Sequence, residues 1–174
     1  VGTSNNATGK GSVAIGAQNT SSGFASIALG VETISSGEHS TTTGKGTTAS
    51  GNNSTAMGID NIASGEISLA TGGGTTASGF NATSFGSHTT ASGGNSVALR
   101  HYPKASDYGS LVIGYYNDSG SSITAFDDRY DDSNTAFVIG NGAGNNSRSD
   151  ALVVNFDGTT TIAGDLNVNS DARL

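Results

Sequence analysis

The chain has 174 residues and 17.1 kDa, a length for one domain or two small ones. Glycine supplies 27 residues and, with Ser, Thr and Asn, more than half of the chain, while hydrophobic residues reach 33% and charged residues 12%. This excludes an ordinary packed core, which draws nearly half its residues from the apolar set, and the low charge with abundant Thr, Val and Ile argues equally against disorder. No apolar run approaches the roughly 18 residues of a membrane span, so membrane insertion is not expected. No signal peptide is recognised. The absence of cysteine excludes disulfide scaffolds and thiolate zinc sites. The net charge of −7 arises entirely after residue 104, and no basic stripe offers phosphate contacts, so nucleic acid is not an expected partner.

From Ala7 to Asp118 the chain divides without insertion into eight units of 14 residues, each close to A-S-G-x-x-S-V-A-I-G-x-x-T-T. The third position reads Gly9, Gly23, Gly37, Gly51, Gly65, Gly79 and Gly93, then Asp107. The tenth reads Gly16, Gly30, Gly44, Gly58, Gly72 and Gly86, then Arg100, then Gly114. Val1-Gly2 fits the tail of a preceding unit, so the array is expected to extend upstream. Two glycines per unit predict two corners that need positive φ or close backbone approach. Between them the pattern predicts two short strands, over positions five to nine and over positions thirteen to two of the next unit. Such a unit is too short for a strand and a helix but long enough for one turn of a two-walled parallel β-solenoid. Eight coils stacked at about 4.8 Å would stand roughly 38 Å tall.

Within the first strand the residues alternate small and bulky. Ser12-Ala14-Gly16, Ser26-Ala28-Gly30 and Ser54-Ala56-Gly58 form the small set. Val13, Ile15, Ile27, Leu29, Met57, Leu69, Phe85, Val97, Leu99, Leu111 and Ile113 form the bulky set. Two close walls leave room only for the small face, against Ala49, Ala63, Ala77 and Ala91 opposite. The bulky face is therefore expected to leave the chain and form the core of a homotrimer, because monomers rarely expose so long an apolar stripe. Thr41, Thr43, Thr55, Thr71 and Thr83 interrupt the stripe, and weakened packing is the favoured account of them.

Gly11-Ser-Val-Ala-Ile-Gly16, Ala25-Ser-Ile-Ala-Leu-Gly30 and Asn95-Ser-Val-Ala-Leu99 resemble the N-S-V-A-I-G repeat of YadA-type heads of trimeric adhesins. The resemblance covers residues 1–118 and implies a left-handed parallel β-roll with three chains side by side and the Val/Ile columns facing the sister subunits. It also implies an extracellular place and binding to cell surfaces or matrix, but transfers no ligand residue.

The remaining chain departs from that family. An irregular connection is expected over 119–135 and a small intertwined β module over 136–170. Its parts are Ala136-Phe-Val-Ile-Gly-Asn-Gly142, Arg148 to Phe156, the hairpin signal Asp157-Gly158, and Thr159 to Leu166. This region resembles segments of phage tail fibres that precede an endosialidase-type intramolecular chaperone. Ser170-Asp-Ala-Arg-Leu174 resembles the opening of that chaperone, which implies a self-cleavage junction between Ser170 and Asp171, with 171–174 belonging to the chaperone.

Catalysis has no support beyond that junction. His39, His88 and His101 share no metal or triad spacing and read as solvated loop residues. Gly140-Asn-Gly-Ala-Gly144 lacks a surrounding βαβ unit and reads as a flexible turn. All five tyrosines fall between Tyr102 and Tyr130. Tyr102, Tyr108, Tyr115, Tyr116, Arg129 and Tyr130 could form a patch for a sugar or a protein, although a transition that caps the last coil is slightly favoured. Asp127, Asp128, Asp131 and Asp132 are weak calcium candidates without a recognised ligand spacing; no cofactor and no other metal is expected. Paired threonines at Thr47-Thr48, Thr75-Thr76 and Thr89-Thr90, read as outward, admit an ice-binding solenoid as a remote alternative. The expected function is a homotrimeric attachment fibre and not an enzyme, carried on a virion tail and binding a host-cell receptor. The alternative is a trimeric adhesin on a bacterial surface.

Overall fold

The computed structural model describes residues 2–118 and 128–166. Among these residues every regular element is a β-strand. Each 14-residue unit makes one coil of a parallel β-solenoid, with a five-residue strand on one wall and a two-residue strand on the other. The long strands are Val13–Ala17, Ile27–Val31, Thr41–Lys45, Thr55–Ile59, Leu69–Gly73, Thr83–Ser87, Val97–His101 and Leu111–Tyr115. The short strands begin with Asn6–Ala7 and Thr20–Ser21 and end with Lys104–Ala105. Successive coils pair in parallel without a slip, so that Val13 lies beside Ile27 and Ile27 beside Thr41. Gly2–Thr3 continues the same register below Gly16–Ala17.

The strands lie later in the unit than expected, at positions seven to eleven and fourteen to one. The reason is where the chain bends. Left-handed backbone occurs at position five, in Gly11, Ala25, His39, Asn53, Ile67, Asn81, Asn95 and Gly109. It recurs at position twelve, in Gln18, Glu32, Gly46, Asp60, Gly74, His88, Tyr102 and Tyr116. Most of these are not glycine, so the glycine columns do not mark the corners. They mark close approach. A Cβ at Gly51 or at Gly72 would drive into the carbonyl oxygen of the glycine one coil above, and Gly72 has φ +126° as well. The tenth-position glycines sit inside the long strands, where the backbones of two coils touch.

The small face points inward. Ala56, Ala70 and Ala98 meet Ala49, Ala63, Ala77, Ala91 and Ala105 of the opposite wall, and all are fully buried, as is Ala28 lower in the stack. Ser26, Ser40 and Ser54 fill the same interior by bonding locally: Ser26 Oγ donates to Gly23 O at 2.8 Å and lies 2.7 Å from Ser21 Oγ. At position thirteen Asn19 Nδ2 donates to Ile15 O and Gly30 O, while its Oδ1 accepts from Thr33 N and Thr33 Oγ1. Asn61 repeats this arrangement with Met57, Gly72 and Thr75. Thr47, Thr75 and Thr89 stand in this buried column, which corrects their outward reading and removes the flat threonine grid an ice surface would need. At Asn19 and Asn61 the inward side chain satisfies carbonyls of its own coil and of the coil above.

Beyond Leu111–Tyr115 the wide sheet does not stop. Thr135–Asn141, expected to fall in a separate module, lays down in parallel on Leu111–Tyr115 and places Val138 beside Val112 in the buried core. Asp150–Asn155 then pairs antiparallel with it, and Thr160–Ile162 pairs antiparallel in turn. The hairpin signal is met: Asp157-Gly158 forms the turn between them, with Gly158 at φ +88°. Among the described residues the wide sheet thus has twelve strands and the narrow sheet eight. Asp107 takes the glycine column of the last described coil, and its Oδ2 accepts from Thr135 N at 2.8 Å.

Two neighbouring glycines give a sharp test. A Cβ at Gly72 meets backbone in a conformation that L-residues avoid, whereas a Cβ at Gly73 meets nothing within 4 Å. Gly72→Ala should lower unfolding stability by at least about 2 kcal/mol. Gly73→Ala should raise it by about 0.5 kcal/mol. Denaturant melts of the two variants should shift in opposite directions.

Candidate functional site

Two surfaces stand out from the solenoid, and both are built by its column rule. A side chain at one position of the unit has a neighbour about 4.8 Å above and below it. The first surface is the outward face of the long strands. Val13 is 40% exposed, Ile15 44% and Phe85 54%, with Ile27 and Met57 also exposed. Leu29, Leu69, Val97, Leu99, Leu111 and Ile113 are half-buried by their column neighbours. Phe137 and Ile139 extend the columns by one rung, in register with Leu111 and Ile113. The result is a flat apolar stripe along the whole wide sheet, broken by the outward threonines, Thr43 among them.

The second surface lies at the end of the array. Position twelve reads His88, Tyr102, Tyr116 in successive coils, and their rings stack with centroids 4.6 and 4.7 Å apart. His101 packs edge-on against Tyr102 and Tyr116 and lies beside Tyr115. The Arg100 guanidinium sits over the Tyr115 ring, 4.7 Å from its centroid. Arg148 closes the column over Tyr116, with Nη1 donating to Tyr102 O and Asn117 O at 3.1 Å each. The stacked rings cover one another's faces, so this column presents ring edges and two cations. His88 is an exposed corner residue, as expected from the sequence, and stacks on Tyr102; His101 instead ends the strand Val97–His101 and is half-buried in the aromatic cluster, a correction to its reading as a solvated loop residue. The 14-residue spacing of His88, Tyr102 and Tyr116 carried that information, because equal positions must stack.

The six residues proposed for a binding patch do not meet in one place. Tyr102, Tyr115 and Tyr116 join the cluster just described. Tyr108 stands at position four, at the other corner, beside a cleft shared with Phe80. Tyr130 packs edge-on against Phe156, and its hydroxyl donates to Asp132 Oδ1 at 2.7 Å, which holds the phenol above its ordinary pKa. Arg129 is exposed, and its carbonyl accepts from Asn134 Nδ2. Asp131 accepts from Ser133 N and Ser133 Oγ, which lowers its pKa. Asp127, Ser170 and Asp171 lie outside the described residues. Among the described residues no three His, Asp or Glu side chains gather as a metal group. The glycine-rich segment 140–144 turns back on the coil: a Cβ at Gly140 would press on Asn117 N, and one at Gly142 on Tyr116 O. Gly140 and Gly142 thus serve close packing, whereas a Cβ at Gly144 would meet nothing within 4 Å.

A parallel β-solenoid of 14-residue coils with an outward aliphatic stripe defines the class. The chain matches the YadA head domain repeat over residues 1–19, 21–47, 49–75 and 77–99, more than half of its length. It belongs to that family of head repeats. No curated protein matches it in sequence.

Arg100 occupies the glycine column at φ +106°, a conformation that L-residues seldom adopt. Arg100→Gly should therefore raise the melting free energy by roughly 1 kcal/mol while removing the cation from Tyr115. Thermal unfolding followed by the near-ultraviolet tyrosine signal reads both effects at once.

Proposed function

We propose that the protein is a segment of a homotrimeric attachment fibre, working outside the cell by binding a receptor and catalysing no reaction. One observation supports this reading most strongly. A chain of YadA head repeats carries its large aliphatic residues on the outside of its own solenoid, from Val13 to Ile113. Two more copies of the same face cover that stripe under cyclic symmetry, and the stripe then becomes the core of the fibre. The aromatic end and the corner loops stay at the surface, where a receptor is met.

The favoured carrier is a phage or phage-like tail fibre, on the strength of the sequence resemblance of residues 136–174. The second reading is a bacterial surface adhesin, supported by the family match of the head repeats. An antibody raised against residues 1–118 separates them: labelling of virion tails supports the first, labelling of the bacterial envelope the second.

The assembly itself has a direct test. Three charges brought together at a dry axis have no partners. Ile15→Asp or Leu29→Asp should dissociate or misfold the fibre, seen as loss of the three-chain mass in sedimentation equilibrium. A normal trimer in either variant overturns the face assignment.

A further inference from the structure

We propose that the cleft between Phe80 and Tyr108 holds one uncharged hexopyranose residue of a cell-surface glycan. The inference rests on the attachment reading and names where and what the fibre would grip.

Position four reads Lys10, Phe24, Glu38, Asn52, Glu66, Phe80, Gly94 and Tyr108, so Gly94 is the column's one glycine. It falls between two aromatic residues. The coils are joined rung to rung here, with Asn95 N donating to Phe80 O at 2.7 Å and Gly109 N to Gly94 O at 2.8 Å. Phe80 and Tyr108 are therefore two rungs apart, about 10 Å, with no side chain from Gly94 between them. The result is a cleft of about 370 Å³ lined by Phe80, Ser92, Gly94, Asn95, Tyr108 and Asp128.

The spacing selects the shape of the occupant. A ring centred on the Gly94 rung lies about 4.8 Å along the stack from the rung of either aromatic residue. Flat aromatic groups make contact at about 3.5 Å, so a planar ring would touch one wall and leave the other bare. A puckered saturated ring, with C–H groups projecting from both faces, spans the gap and meets an apolar surface on each side.

The rim selects the chemistry. Ser92, Asn95 and Asp128 set a hydroxyl, an amide and a carboxylate around the apolar walls, a set that pairs with sugar hydroxyls. Asn95 Oδ1 accepts from Asn81 Nδ2 at 3.0 Å, which orients the amide so that its NH₂ is the group left to donate. Among the described residues no Lys or Arg lines the cleft, and the Asp128 carboxylate there repels anions. Sialic acids and phosphorylated sugars are disfavoured on that ground. The cleft repeats on every chain, so a fibre of three chains presents three of them and weak single sites add up to firm adhesion.

The intact protein should be tested on a glycan array carrying neutral and sialylated structures from bacterial envelopes and from animal cells. Saturation-transfer NMR with methyl glucoside, galactoside, mannoside and their N-acetyl forms then identifies the sugar. Signals on neutral hexose termini from one of the two sources are expected. Phe80→Ala should weaken them about tenfold or more, because the ring supplies one whole wall. Phe80 is 52% exposed, so its loss should leave the fold intact, and Phe24→Ala, at the same position four coils below and 47% exposed, should change nothing. Gly94→Val, which fills the slot, should abolish binding; circular dichroism of that variant checks its fold. Silence of the wild type across array and NMR overturns the proposal, as does a preference for sialylated glycans or unchanged binding by Phe80→Ala. Cell adhesion by the same proteins separates the two readings. Adhesion that survives Phe80→Ala removes the cleft and keeps attachment, and a wild type that adheres to neither bacterial nor animal cells removes attachment itself.

Discussion

The backbone ladder between successive coils is the interaction on which everything else depends. Each coil donates and accepts along both walls to the coil fourteen residues away, and the glycine carbonyls at positions three and ten approach so closely that a methyl group would not fit. The two walls then lie too near each other for large side chains. Alanine, serine, threonine and asparagine fill the gap, and the Asn19 and Asn61 amides with the Ser26, Ser40 and Ser54 hydroxyls bond back to corner carbonyls. Stability comes from many bonds of about 1 kcal/mol each rather than from a hydrophobic centre.

That interior decides the exterior. With the inside reserved for small residues, bulky aliphatic side chains can only point outward. The same logic makes the surface a set of vertical columns, each holding one side chain per rung. Columns of like residues become stripes, as on the wide sheet, or stacks, as with His88, Tyr102 and Tyr116. Irregularities in a column become features: Arg100 accepts strain to hold a cation over Tyr115, and Gly94 leaves a slot between two aromatic residues. Specific surface chemistry is thus written by single substitutions in a scaffold whose backbone hardly changes.

Repeat length, parallel pairing and the direction of the faces were legible in the sequence, because two glycine columns in phase admit few other solutions. The corners were misread. A glycine is a corner signal only when its φ is the reason for it, and here the reason was contact between backbones; Ile67 and Ala25 carry left-handed φ with no sequence cue. Thr47, Thr75 and Thr89 were read outward for the same reason, since displacing the corner displaces the alternation. The aromatic patch was legible as a group but not as a place. Tyr108 and Tyr102 are close in sequence yet stand at opposite corners of a coil, and Arg148 reaches Tyr116 from a loop far along the chain. Continuation of the wide sheet by Thr135–Asn141 was hidden because the 14-residue phase is lost before it, while the register across the two strands is restored.

A parallel solenoid is a template that could copy itself indefinitely, since each finished coil presents the hydrogen-bonding edge that recruits the next. The reversal of direction after Thr135–Asn141 ends that process. Asp150–Asn155 occupies the growing edge with a strand of opposite polarity, and among the described residues Thr160–Ile162 covers it with a three-residue strand. Among the described residues the wide wall therefore finishes on an antiparallel hairpin, so its last rungs no longer repeat the direction of the coils beneath them.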